Sequence, residues 1–218
     1  MPTKQALQLI LIPHRPAVAA EIENDLAPAF AILQRAKGLK ALWRGKKFED
    51  RYTQVALCLW EDLESSHSFF TSPSYAELHK LIQPAMNGRS INWTTHALLD
   101  HSRLSSYAQL ASTLESPAIE VALTKVTEGG VAGYYSQFNK VVAGILDNEP
   151  GCNGYFISPL IEEPQDQLLL INWKSVDAHH EEFEKKPGFR ACIDALMDYY
   201  RVFVVPWHIT EIYKVKVL

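Results

Sequence analysis

Eight histidines in a chain of 218 residues supply the side chain that exchanges protons near neutral pH, and their neighbours decide what each could do. His67 stands three residues before Phe70 and five before Ser72, on a short expected helix over a sheet. There it is either a general base at a pocket mouth or an exposed, capping imidazole. His96 and His208 fall in two expected strands beside Trp93 and Trp207. Alternation along a strand puts each imidazole on the face opposite its tryptophan. A histidine buried there needs a hydrogen-bond partner, which can be a structural hydroxyl or a ligand. Trp60, Trp93, Trp173 and Trp207 either line a flat apolar pocket or pack the core. We expect a site around His67 and His96 as catalytic groups, with Trp60, Phe69 and Tyr75 as substrate-binding walls. "HHEEFE" from His179 reads as a solvated helical charge run, and no metal site is expected. "GG" at Gly129 lacks the spacing of a nucleotide fingerprint, and no serine nucleophile elbow is present. No organic cofactor is expected.

The elements that position these residues occur twice. Trp60 and Trp173, like Gly38 and Gly151, stand 113 residues apart; Phe69 and Phe183, Pro73 and Pro187, Tyr75 and Phe189, and Trp93 and Trp207 stand 114 apart. The second copy has gained one residue between its tryptophan and its proline, and His67 then falls opposite Glu181. A period this long is that of a small domain rather than a solenoid repeat. In the first copy "ALQLILI" reads as a strand. Val18, Ile22, Leu26, Phe30 and Leu33 mark a helix, Gly38 its end, and "LKALWRG" and "YTQVALCLW" two strands. Ser72-Pro73 announces a further helix and "INWTTHALL" a last strand. The second copy repeats the order. The pattern βαββαβ is the ferredoxin-like motif. We expect units at 1–99 and 117–218 joined by a connector at 100–116. Strands apolar on both alternations suit sheets buried on both faces. The expected fold is α+β, two tandem units forming an intrachain pseudo-dimeric α+β barrel.

Composition narrows the partners. A formal net charge of −4 with no block of like charge gives no footprint for nucleic acid or an acidic membrane. The expected partner is a small hydrophobic or aromatic molecule, and the chain is expected to be a monomeric pseudo-dimer or a weak homo-oligomer. Cys58, Cys152 and Cys192 are too scattered for a disulfide framework or a zinc site. The apolar run before Pro13 is too short for a signal segment or a membrane span, so a cytoplasmic protein is expected. The sequon at Asn92 falls inside an expected strand.

"W-x-S-x-x-A-H" from Trp173, the aromatic and Pro elements that follow, and "WTTH" and "WHIT" in the closing strands resemble the antibiotic biosynthesis monooxygenase domain of the dimeric α+β barrel superfamily. The resemblance spans both copies and is closest to two-copy versions found in fungi. It implies a tailoring enzyme of secondary metabolism that acts on a hydrophobic aromatic or polyketide-like substrate by cofactor-independent oxygenation or cyclisation. A non-catalytic small-molecule-binding or stress-response protein is the alternative. A further alternative is a haem-binding or haem-degrading protein, since haem-degrading relatives carry an aromatic residue ten positions before the iron-ligating histidine, as Phe69 precedes His79. The matching tryptophan is phenylalanine in both copies, Ile193 replaces the histidine in the second, and the first-strand asparagine has no counterpart. The asparagine that cofactor-free oxygenases place four residues before the strand-end tryptophan is Ala56 or Leu169 here, and Asn172 lies on the opposite face. The copies are expected to have diverged, with the working pocket in the first copy around His67 and His96 and the pocket of the second copy filled.

Overall fold

Strand, helix, two strands, helices and a closing strand follow one another twice. The structure, a computed structural model, describes residues 4–86, 88, 93–100 and 104–215, with the backbone alone at 93 and 94. Asn92 and His101 lie outside the described residues. Two units are distinguished, Met1–Asp100 with Tyr213–Leu218, and His101–Ile212.

The first unit contains β1 (Gln5–Pro13), α1 (Ile22–Gln34), β2 (Leu39–Lys47), β3 (Thr53–Trp60), α2 (Leu63–Phe70), α3 (Pro73–Ile82) and β4 (Trp93–Leu99). The sheet order is β4-β1-β3-β2, antiparallel throughout. The first helix begins at Ile22, not Val18, because Pro16–Val18 form a tight 3-10 turn, with Ala19 N–H donating to Pro16 O. Asp62 caps α2 by accepting from Ser65 N–H at 2.8 Å, and Ser72 caps α3 from Tyr75 N–H at 3.2 Å, with Pro73 in its first turn. Buried Ile22, Leu26, Ala29, Phe30 and Leu33 give α1 its apolar stripe.

The second unit contains α4 (Tyr107–Thr113), β5 (Ala118–Val126) and α5 (Val131–Gln137), which runs through a π-helical turn (Phe138–Val142) into α6 (Ala143–Asp147). Then come β6 (Cys152–Pro159), β7 (Asp166–Trp173), a second π-helical turn (Ala178–Phe183), α7 (Pro187–Leu196), the short β8 (Tyr200–Val202) and β9 (Trp207–Val215), whose residues up to Ile212 belong to this unit. The order β9-β5-β7-β6 repeats that of the first unit, and β8 also pairs with β5. β3 and β7 are buried at every position, as expected of strands apolar on both alternations.

Strand register fixes which residues of the copies correspond. Gln8 faces His96 across β1–β4, and Glu120 faces His208 across β5–β9. Trp207 pairs with Val121, the place that Thr95 takes opposite Leu9, whereas Trp93 pairs with Leu11. The Trp93–Trp207 match in sequence is therefore corrected: the two are not equivalent in register. The inserted residue is located too. In the first copy Thr71 N–H donates to His67 O, four residues back; in the second Glu184 N–H donates to His179 O, five residues back. One extra residue inside a helix is accommodated as a π turn, a feature frequent at functional sites. The insertion follows His180, so His67 corresponds to His180 and not to Glu181.

Candidate functional site

Four positions recur in both units around the strand-end tryptophan. In the first unit, Trp60 Nε1 donates to Gln8 Oε1 at 2.9 Å, and Ser66 Oγ lies 2.8 Å from His96 Nε2 and 3.4 Å from Gln8 Oε1. In the second, Trp173 Nε1 donates to Glu120 Oε2 at 2.9 Å, His179 Nε2 lies 3.4 Å from that oxygen, and His179 Nδ1 lies 2.9 Å from His208 Nε2. The scaffold is the same, with Gln8 exchanged for Glu120 and Ser66 for His179. An amide, a hydroxyl and one imidazole have given way to a carboxyl group and two imidazoles, all buried.

Local structure explains the placement. Glu120 and His208 are cross-strand neighbours and share one sheet face. His179 enters from the π turn and stacks on Trp173, ring centres 4.8 Å apart and 15° from parallel. His180 stacks in turn on His179 at 4.8 Å and meets His208 edge-on at 4.9 Å. Its Nδ1 lies 3.0 Å from Glu184 Oε1. Burial pushes the Glu120 carboxyl above the ordinary range, and Glu184 adds to this; the Trp173 hydrogen bond and His208 pull the other way. A carboxyl group so placed favours its neutral, proton-donating form.

Beside this group lies a cavity of about 240 Å³. Glu120, Thr124, His179, His180, Glu184 and Tyr200 are among its polar residues, and Val142, Leu146, Ile171, Phe183, Leu196 and Phe203 are among its apolar walls. Among the described residues no Lys or Arg lines it. Cys192, also in the lining, is pushed up to about 11, chiefly by burial. The first unit's counterpart, under α1, α2 and α3, holds about 20 Å³ and has a wholly apolar lining that includes Phe69, Phe70, Tyr75 and Ile82.

The sequence-expected site residues are thus divided. Phe69 and Tyr75 line the small cavity; Trp60, His67 and His96 do not. His96 is buried against Ser66, and His67 is exposed, its ring edge-on to His96 at 5.8 Å. "HHEEFE" is corrected: His179 is 3% exposed and sits inside a cluster with His180 and His208, because the π turn directs it at the sheet. The sequence reading passes over Glu120 and places His179, His180 and Glu184 in a solvated run, although setting Gln8 against Glu120 and Ser66 against His179 shows the change of chemistry. His79, the haem ligand only under the further alternative, lies 3.1 Å from Gln83 Nε2 and is absent from the lining of the small cavity. That cavity is far below the roughly 300 Å³ and more of cofactor pockets. Haem does not fit there.

Residues 117–195 match the family profile described as "Antibiotic biosynthesis monooxygenase". No curated protein matches the chain. Among solved structures, the chain is similar to an anthrone oxidase-like protein (TM-score 0.68, 10% identity, covering 97% of this chain and 93% of that one). It is also similar to a proposed monooxygenase from Fusobacterium nucleatum subsp. nucleatum (TM-score 0.63, 10% identity, 100% and 98% covered). A proposed chlorite dismutase has a TM-score of 0.63 at 8% identity, with 99% and 96% covered. At these identities the likeness is one of fold: α+β with an antiparallel sheet. Among the described residues no helix is long and apolar enough to cross a membrane.

Proposed function

We propose that the chain is a monooxygenase-type small-molecule enzyme whose second unit is the working half, and whose reaction begins by removing a proton from a hydrophobic aromatic substrate. The observation that carries this reading is the buried Glu120–His179–His208 chain at the edge of an otherwise apolar cavity of about 240 Å³. The first unit keeps the scaffold with neutral Gln8 and Ser66 and has about 20 Å³. The family match, confined to 117–195, supports the same half.

The roles follow from the geometry. Glu184, 3.0 Å from His180 Nδ1, holds a proton on that nitrogen and leaves Nε2 as the base, the orienting role a carboxylate plays in hydrolytic triads. Neutral Glu120 donates a hydrogen bond to the oxygen on which negative charge collects, as a carboxylic acid kept protonated by an apolar site can. His179 and His208 behind it relay or share the compensating proton. The apolar walls hold the ring system and exclude water, which strengthens both interactions. The resulting carbanion or enolate is the species that reacts with dioxygen or closes a ring. Secondary metabolism remains the expected setting. The units are proposed to be tandem copies of the two-copy fungal type, closing one intrachain α+β barrel; sedimentation of the full chain as a monomer is the result expected of that arrangement.

The test is dioxygen uptake and product analysis with enolisable aromatic ketones of one to three rings. Anthrone, named in one structural neighbour, is the first to try: its oxidation consumes one dioxygen and yields anthraquinone and water. Uptake above the protein-free rate, lost in His180→Ala, is expected. No uptake with any ketone, together with no binding of these ketones at the cavity, refutes the reading in favour of a protein without this activity.

A further inference from the structure

The histidine cluster can also take a ligand that proton transfer does not need. One nitrogen from each of His179, His180 and His208 falls within 4.8 Å of the others. His179 Nδ1 and His208 Nε2 are already 2.9 Å apart, close to the separation of about 3.0–3.4 Å that two ligands 2.0–2.1 Å from one ion would have. Closing the set requires only His180 to swing inward by about 1–1.5 Å to reach that spacing. His180 is the half-exposed member, so it has room to move, whereas His179 and His208 are fixed by burial and by the stack on Trp173.

The surroundings suit a cation. Glu184 Oε1 lies 3.0 Å from His180 Nδ1 and 3.7 Å from His179 Nε2, Glu120 Oε2 lies 3.4 Å from His179 Nε2, and among the described residues no Lys or Arg lines the adjoining cavity. The repeat provides an internal comparison: on the same scaffold the first unit has Ser66 where His179 stands and Gln8 where Glu120 stands. The donor set is thus particular to the second unit rather than a by-product of the fold.

We propose that His179, His180 and His208 bind one divalent transition-metal ion of the cobalt-to-zinc group, with Glu184 as the carboxylate beside it. Imidazole nitrogens select such ions over calcium or magnesium, which prefer oxygen. Three protein ligands beside a cavity leave a position open towards it, the arrangement of a site that can also take water or a small molecule. Binding takes the imidazole lone pairs and so competes with protons, weakening as pH falls. It also competes with any use of His180 as a base. The inference does not rest on the proposed reaction, because metal binding is measured without substrate.

The experiment uses the untagged full chain, treated with a chelator and dialysed free of it, then titrated with Co²⁺ alone at pH 7.5. Visible d–d absorption reports ligand geometry, and equilibrium dialysis with Zn²⁺ reports stoichiometry and affinity. One ion per chain is expected, with affinity falling at least about a hundredfold in His180→Ala, since loss even of an outer partner costs 10–100-fold. His180 is half-exposed, so this variant should keep the fold, checked by circular dichroism. His208→Gln is the second variant, for which a similar loss is expected. Binding no tighter than millimolar overturns the proposal, and so does tight binding that His180→Ala leaves unchanged.

Discussion

Replacing Glu120 by glutamine converts the second unit's network into the one the first unit already has. Trp60 donates to Gln8 at 2.9 Å, the distance at which Trp173 donates to Glu120, so the amide should accept the same hydrogen bond without repacking. The stability cost below pH 4.5 should then be no more than about 1 kcal/mol, a typical net hydrogen-bond contribution. For a chain of this size that corresponds to about 2–4 °C in Tm. The pH dependence carries the sharper prediction. Burial raises the folded-state value of Glu120 above the ordinary 4.5, so its stabilising contribution is complete below that value and is lost as pH rises through the folded value. Glutamine has no such loss. Tm of the variant minus Tm of the parent should therefore increase from pH 4.5 upwards, as differential scanning fluorimetry across pH 4–8 would show. Turnover should fall at least about a hundredfold, the lower range for losing an acid–base group. A Tm difference that stays flat with pH, with turnover unchanged, would refute both the buried neutral carboxyl and its role.

Three other outcomes follow. Leu146→Trp should fill part of the 240 Å³ cavity and abolish substrate binding while thermal unfolding stays cooperative; isothermal titration checks this. Gly38→Ala should cost about 1–3 kcal/mol or more, because its φ of +85° is a left-handed conformation and an added Cβ would meet Ser65 Cβ at 2.5 Å; denaturant unfolding measures it. Cys58 and Cys192 should resist iodoacetamide at pH 8 in the native protein, since burial raises both thiols, Cys192 to about 11; intact-mass analysis would contradict this if either reacted at the rate of a free thiol.

Much of the fold was legible because it rests on short-range regularities: strand alternation, the stripe Ile22–Leu26–Phe30–Leu33 on one helix, and the Ser72-Pro73 cap. Repetition of the whole pattern added a second reading of each element. The site was less legible for a specific reason. A single inserted residue shifts every later match by one, and its position between His180 and Phe183 is visible only as the bond from Glu184 N–H to His179 O. Placed too early, the shift pairs His67 with Glu181 and hides the correspondence of Ser66 with His179. Read with an ordinary helical period, "HHEEFE" is a charged, solvated face. Read with a π turn, it delivers His179 to the sheet. Gln8 and Glu120 escaped notice because each stands alone among apolar strand residues, where only the partner across the sheet, His96 or His208, reveals a role.

The claim that the second unit is the working half is tested most directly by comparing kcat/KM for two corresponding variants, His180→Ala and His67→Ala, on one substrate identified by dioxygen uptake. The account predicts a loss of at least about a hundredfold for His180→Ala and a value within about twofold of the parent for His67→Ala, which removes an exposed imidazole that lies outside the lining of the first unit's cavity. The reverse pattern, with His67→Ala inactive and His180→Ala unimpaired, would contradict it and place the chemistry in the first unit.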